Sequence, residues 1–153
     1  MKQFKFPLET VLTYKQQILE TLQIEHAAIL GQVRQQEAFL ECLWREYYAY
    51  GDEYRIRCEE GLLITEAWAY QAGLRARERE IQNETEHLEA LKKKEEAKRE
   101  EVVSSKKDTS TLEKLKDKQW GAYQASAAKK EELMVEEFVM STRKNSGSQA
   151  VSL

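Results

Sequence analysis

The stretch Phe6-Pro7-Leu8-Glu9 contains the only proline of the 153-residue chain. Proline is accepted in the first turn of a helix, where its missing N–H would be unpaired anyway, but it disrupts a helix interior. Because no proline follows, neither steric clash nor a lost donor interrupts a helix beyond residue 7. Glu9 would lie at the positive end of the helix dipole. The sequence therefore predicts an all-α fold whose first helix begins at about residue 7.

The composition is typical of a coiled coil, because 33% of the residues are charged and only six are glycine. The net charge of −3 gives no general reason to expect nucleic acid or an anionic membrane as a partner. No stretch approaches the roughly 18 uncharged apolar residues of a membrane span, and the start lacks a secretory signal. Cys42 and Cys58 would lie about 24 Å apart on one helix, too far for a disulfide. We therefore expect an elongated cytosolic protein without direct membrane insertion.

The first predicted helix carries a heptad repeat of mainly apolar residues, which a coiled-coil partner would bury. Polar residues interrupt the repeat and restrict the pairing register. The two seam positions become aromatic towards residue 54. They are Leu12, Leu19, His26, Val33, Leu40, Tyr47 and Tyr54, and Leu8, Lys15, Leu22, Ile29, Gln36, Leu43 and Tyr50.

Gly61 is the best candidate for a chain reversal, because Leu62-Leu63-Ile64 and then Thr65, a plausible N-cap, follow it. A short connection makes two helices antiparallel neighbours. We predict helix 1 at about 7–58, a turn at about 59–65 and helix 2 at about 66–142. Residues 1–142 would form one long antiparallel two-helix coiled-coil hairpin. The Ser- and Gly-rich residues 143–153 are predicted to be disordered.

The second helix has a sparser apolar stripe and is longer than the first. Its members are Trp68, Leu74, Ile81, Leu88, Leu91, Val102, Leu112, Leu115, Tyr123, Leu133 and Phe138. Folding back from the turn would place Leu8 beside roughly residue 118, so residues 119–142 would protrude by about 36 Å of helical rise. The fold prediction therefore includes a protruding C-terminal helix.

Residue patterns of catalytic and metal sites are missing from the sequence. His26 and His87 are isolated, and neither His-Glu-x-x-His nor Cys-x-x-Cys occurs. The chain also lacks a glycine-rich phosphate loop and a nucleophile elbow. Lys92-Lys93-Lys94 is balanced by neighbouring glutamates, unlike the basic arm of a zipper-type DNA binder. We predict no enzyme, no catalytic or metal residues, no cofactor and no nucleic-acid partner.

An aromatic cluster lies near the predicted turn. Consecutive helical residues point in different directions, so the whole cluster cannot face one seam. Part of it would close the hairpin tip, and part would be an exposed docking surface, since Trp and Tyr are favoured interface anchors. The members are Trp44, Tyr47, Tyr48, Tyr50, Tyr54, Trp68 and Tyr70.

Four segments together resemble FliJ, the coiled-coil stalk protein of the bacterial flagellar type III export apparatus. The opening Phe4–Lys15 resembles the family pattern Phe-x-Phe-x-Leu-Glu-x-Val-Leu-x-x-Lys. Gly61-Leu62 falls at the family's turn, Leu112–Lys116 resembles its Leu-Glu-Lys-Leu-Lys-like stretch, and Lys130–Phe138 resembles its last helical turn. Members often have Leu-Asp-Glu in that last motif, where this chain has Leu133-Met134-Val135-Glu136-Glu137. The resemblance thus extends over most of the chain.

The resemblance implies a non-enzymatic hairpin similar to the coiled coil of the F1-ATPase γ subunit. Family members insert the end that carries the chain termini into the hexameric ring of the flagellar export ATPase. The tip reaches the export gate protein FlhA, so the protein would be cytoplasmic and peripheral at the inner membrane of the flagellar base. Export chaperones are a further candidate partner that the sequence leaves open.

The resemblance also implies two partner-binding surfaces. The family's gate-binding segment has a Tyr-x-x-x-Tyr-Arg pattern, which Tyr50-Gly51-Asp52-Glu53-Tyr54-Arg55 matches. With the aromatic residues nearby, the predicted gate-binding residues are Leu43, Tyr47, Tyr50, Tyr54, Trp68 and Tyr70. The predicted ATPase-ring residues are Phe4, Phe6, Trp120, Tyr123, Leu133, Met134 and Phe138.

Two alternatives remain open from the sequence. A stalk of a virulence-type secretion system would have the same architecture, and genomic neighbourhood would separate the two. A plain coiled-coil scaffold or adaptor would instead pair its first helix with another copy, with Gly61 marking only a kink. A mass measurement distinguishes the last alternative, because the hairpin is expected to be a monomer when isolated.

Overall fold

The computed structural model describes residues 2–149, which form two long helices. Helix α1 spans Glu9–Glu60 and helix α2 spans Ile64–Gln149. Within the described residues there is no strand, and the two helices form an antiparallel coiled-coil hairpin, so the predicted fold class is confirmed.

The chain was predicted to form one hairpin unit. Its internal contacts divide it into two compact units. The smaller unit consists of the described residues of Met1–Gln16 and Lys107–Leu153, and the larger unit is Gln17–Lys106.

Helix α1 begins two residues later than predicted. The backbone carbonyl of Phe6 accepts a hydrogen bond from the N–H of Glu9 at 3.1 Å, and the carbonyl of Leu8 accepts one from Leu12 at 2.8 Å. Pro7 and Leu8 therefore form a turn that leads into the helix. Glu9 is the acidic residue of the first turn, as expected for the positive end of a helix dipole.

The reversal between the helices occupies residues 61–63, inside the predicted range of 59–65. Gly61 has a φ of 101°, a conformation that residues with a Cβ rarely adopt and that commonly ends helices. The first turn of α2 closes when the N–H of Ala67 donates to the carbonyl of Leu63 at 2.9 Å. Thr65 lies inside the helix, so its prediction as the N-cap is wrong.

The core of the larger unit lies between α1 and α2, where Leu40, Leu43 and Ile81 form a buried apolar cluster. Tyr47 and Leu88 pack against this cluster. The predicted α1 heptad positions are buried or half-buried along the helix, with the exception of Leu8 at its start.

Helix α2 faces α1 through a regular heptad of its own, and many of its members are polar. Within the larger unit the covered positions alternate in steps of three and four residues. They are Tyr70, Leu74, Arg77, Ile81, Glu84, Leu88, Leu91, Glu95, Lys98, Val102 and Ser105. The apolar stripe predicted from the sequence captured only part of this seam, and its first member, Trp68, is exposed.

Polar residues of α1 pair with three of the polar positions of the α2 seam, Glu84, Glu95 and Lys98. His26 Nε2 lies 2.9 Å from Glu95 Oε1, and both side chains are largely covered. Gln36 Nε2 donates to the backbone carbonyl of Glu84 at 3.1 Å. Lys98 Nζ donates to Glu25 at 2.9 Å, and this hydrogen bond raises the pKa of the lysine. Buried polar groups are tolerated when they are paired in this way.

In the smaller unit, the segment before α1 covers part of α2. Lys116 Nζ lies 2.8 Å from Glu9 Oε2, and the ring of Phe4 packs 5.1 Å from that of Trp120 between centroids. Tyr123 donates its hydroxyl to the backbone carbonyl of Lys2 at 2.9 Å. The prediction that coverage of α2 ends near residue 118 is therefore wrong, because the non-helical residues 2–8 extend along it.

Every residue of α2 from 128 to 148 is exposed. The helix continues to Gln149, which corrects the predicted disorder for residues 143–149, while 150–153 lie outside the described residues. Ser and Gly lower helix propensity without forbidding helix. The hydroxyl of Ser146 bonds back to the carbonyls of Thr142 and Arg143 at 2.9 and 3.1 Å. Residues 128–148 are called the overhang below.

Candidate partner-binding surfaces

Three tyrosines of the predicted gate surface pack on one another across the hairpin near its turn. The ring of Tyr70 on α2 lies 5.2 Å from that of Tyr50 and 5.3 Å from that of Tyr54. Tyr70 donates its hydroxyl to Glu53 at 3.1 Å. These rings are half-buried, so they close the hairpin and leave only part of their surface for a partner.

The ring of Tyr50 packs directly against the backbone of α2 at Gly73. A Cβ built on Gly73 would lie 2.8 Å from Tyr50 Cζ and 2.9 Å from its Cε1. The guanidinium carbon of Arg77 stacks 3.9 Å from the ring centroid of the same tyrosine. Arg77 also donates to the carbonyl of Gly73 at 3.3 Å. The ring is thus held between a bare stretch of backbone and a cation.

Leu43 and Tyr47 serve the hairpin in different ways. Leu43 is buried in the core cluster, where it supports the tip from inside. Tyr47 donates its hydroxyl to Glu78 Oε1 at 2.8 Å, and this hydrogen bond is the main reason why the pKa of Tyr47 is raised.

Trp68 differs from the other predicted gate residues, because 66% of its surface is exposed. Ile56, Leu63 and Ile64 are also exposed near the turn, and sequence reasoning did not select them. The exposure of Leu63 and Ile64 could have been predicted from the run Leu62-Leu63-Ile64 directly after Gly61. A turn between only two helices has too little neighbouring structure to cover three successive aliphatic residues.

The predicted ring surface divides into a covered aromatic cluster and an uncovered helix. Phe6 is buried, and Phe4 packs against Trp120 and Tyr123, whose rings stack 5.5 Å apart. Leu133, Met134 and Phe138 lie on the overhang, and Phe138 is 73% exposed. Val135, Val139 and Met140 of the same segment are also exposed.

The apolar residues of the overhang lie on opposite faces of the helix. At about 100° per residue, Met134 lies roughly 40° from Phe138, whereas Leu133 and Met140 lie about 140° to 160° away. Charged residues separate the two faces, including Glu136 and Glu137. An ordinary surface helix has one apolar stripe, and a helix with apolar residues all round is normally buried. The overhang therefore exposes apolar side chains on two faces, with charged residues between them.

Within residues 2–149, no group of three or more His, Cys, Asp or Glu side chains could hold a metal ion. In the same part of the chain, neither helix contains a segment long and apolar enough to cross a membrane.

A model of the flagellar FliJ protein family matches residues 4–148. The curated proteins and the solved structures compared with the chain give no match. The match includes both helices, the turn between them and nearly all of the overhang. This chain therefore belongs to the FliJ family of flagellar proteins.

Proposed function

We propose that this protein is the stalk of the flagellar protein export apparatus, a family role that is structural and non-enzymatic. The overhang inserts into the hexameric ring of the export ATPase, and the hairpin tip contacts the export gate protein FlhA. The stalk promotes ring assembly and couples ATP turnover to export. It acts in the cytoplasm, peripherally at the inner membrane of the flagellar base.

The observation that carries the proposal is the overhang with its two apolar faces. Exposed apolar surface of this kind is costly in water and marks binding sites. A groove on a partner would cover one face, but the lumen of a ring surrounds a helix on all sides. Leu133 and Met140 on one face and Met134 and Phe138 on the other would both be covered there.

A single hairpin has no sixfold symmetry, so it contacts the subunits of a hexameric ring unequally at any moment. A ligand shifts a conformational equilibrium only by its differential affinity for the states. An asymmetric helix in the lumen would stabilise a different conformational state in each subunit. If the ring and the helix rotated relative to each other, each subunit would adopt these states in turn. This is how the stalk would couple ATP turnover to one subunit after another.

Replacing either apolar pair of the overhang with serine is expected to remove most of the stimulation of ATPase turnover. The first variant carries Met134→Ser and Phe138→Ser, and the second carries Leu133→Ser and Met140→Ser. A buried apolar anchor contributes about 2 kcal/mol or more to binding, so each pair should weaken ring binding by at least a hundredfold. Turnover and hexamer assembly of the export ATPase are measured against stalk concentration.

The control variant carries Lys129→Ser and Glu132→Ser, which lie on the same helix and leave the net charge unchanged. It should stimulate the ATPase normally, and all three variants should keep the helicity of the native chain. If only one of the two apolar pairs matters, the overhang binds a one-sided groove and the ring-insertion proposal fails. Full stimulation by both variants would also contradict it.

At the tip, Trp68→Ala is expected to weaken binding of the FlhA cytoplasmic linker at least tenfold while ring binding survives. Trp68 is exposed and packs on no other aromatic ring within residues 2–149, so its loss removes an anchor without opening the hairpin. The double replacement of Tyr50 and Tyr54 by Ala should also abolish gate binding, but it should lower the melting temperature as well. Calorimetric titration with the linker and thermal unfolding measure both effects. Unchanged gate binding by Trp68→Ala would remove this residue from the surface.

A further inference from the structure

A groove runs beside Trp44, on the part of the larger unit away from the Tyr50–Gly73 contact. Its floor includes Ile81, a member of the buried core. The groove has a volume of about 460 Å³, and its lining consists of Trp44, Glu78, Ile81, Gln82, Thr85, Glu86 and Glu89. None of these belongs to the predicted gate or ring residues.

Trp44, the α1 residue of the lining, belongs to a group of three packed aromatic rings on that helix. The rings of Trp44 and Tyr48, one turn apart, stack 5.7 Å apart with an interplanar angle of 24°. The edge of Tyr47 meets Trp44 at 5.7 Å and 90°, and Tyr47 is itself fixed by its hydrogen bond to Glu78. Trp44 is nevertheless 43% exposed. Packing against Tyr47 and Tyr48 therefore fixes the position of the Trp44 ring, while part of this ring remains exposed to solvent.

The α2 side of the groove is acidic. Glu78, Glu86 and Glu89 line it, and no Lys or Arg does. None of these three carboxylates forms an ion pair with another residue of the described range 2–149. Glu86 and Glu89 lie three residues apart on the helix, a spacing at which like charges repel. The groove thus combines the exposed ring of Trp44 with three carboxylates that form no ion pair within residues 2–149.

We propose that this groove binds a basic segment of a partner protein. An Arg or Lys side chain of that segment lies against the Trp44–Tyr48 pair, where the ring faces attract a cation. Its charge, or that of the next basic residue, pairs with Glu86 and Glu89 and relieves their mutual repulsion. Ile81 and Trp44 accept the apolar part of the side chains, since long basic residues carry apolar stems. None of the lining residues is among those proposed for the ring or the gate, although the gate residue Tyr47 packs against Trp44. The test of the site involves neither partner.

A fluorescein-labelled nona-arginine peptide is the probe, and binding to the full chain is followed by fluorescence anisotropy. A peptide of nine citrullines, which have a similar shape without the charge, serves as the matched ligand control. The arginine peptide should bind, more weakly at higher salt, and the citrulline peptide should not. Glu86→Gln with Glu89→Gln should weaken binding at least fivefold, and Trp44→Leu should do the same.

The control protein carries Glu131→Gln and Glu132→Gln on the overhang, the same change in net charge at two exposed residues. It should bind the arginine peptide within twofold of the native chain. An equal loss in both glutamine variants would show general electrostatic attraction and overturn the site, as would no binding to the native chain. A folded Trp44→Leu protein with native affinity would overturn it too. If Trp44→Leu does not fold, the glutamate pair, which is exposed, decides alone.

Discussion

Ile81→Ala is expected to lower the free energy of unfolding by about 3 kcal/mol, because it removes three buried carbons and leaves a cavity. Ile81 is only 5% exposed and contacts Leu40 and Leu43 at the centre of the larger unit. A two-helix hairpin has no third layer that could collapse into the space. Urea unfolding followed by circular dichroism measures the loss.

Leu133→Ala is the matched control for this result, because it removes a similar volume from an exposed position of α2. Its unfolding free energy should stay within about 0.5 kcal/mol of the native value. Equal effects of the two substitutions would mean that Ile81 is not part of a packed core.

Gly73→Ala is expected to destabilise the native chain by about 2 kcal/mol, although alanine is the better helix former. The new methyl would lie within 3 Å of ring atoms of Tyr50, and the ring is also held by Arg77. In a chain that already carries Tyr50→Ala, the same substitution should stabilise the protein by about 0.5 to 1 kcal/mol. The sign of the effect should therefore depend on residue 50.

Gly31→Ala provides the reference, since no atom lies within 4 Å of a Cβ built at that helical position. It should stabilise the native chain and the Tyr50→Ala chain equally. The double-mutant cycle would then assign a coupling of about 2.5 to 3 kcal/mol to residues 50 and 73. A Gly73→Ala effect that is the same in both backgrounds would refute the packing of Tyr50 on this glycine.

The predictions of the first helix and the turn rest on sequence signals that are strong and local. The α1 heptad is mainly apolar, Pro7 marks its beginning, and Gly61 adopts the left-handed conformation that reverses the chain. The α2 seam was predicted incompletely because Arg77, Glu84, Glu95 and other polar residues occupy core-facing positions. Their burial depends on partners on α1, and an apolar pattern does not reveal such pairing.

The candidate surfaces could be predicted only in part, because the sequence pattern of a helix does not show which other segments cover it. Helical periodicity shows which residues share a face, but not how far the non-helical residues 2–8 reach along α2. Trp120 and Tyr123 were therefore expected to be uncovered, whereas Phe4 lies against both. The exposure of Phe138 and Met134 was anticipated, because no segment of α1 extends far enough to meet them.

The polar seam of the larger unit also resists sliding of one helix along the other. If α1 slid along α2 by one heptad, the Glu84 carboxylate would face Leu43 instead of the Gln36 amide that donates to it, and Glu95 would face Val33 instead of His26. Each carboxylate would lose its partner against aliphatic side chains, a change that costs far more than displacing leucine past leucine. The two helices of this unit are therefore locked against sliding, so that an axial push on one is borne by both.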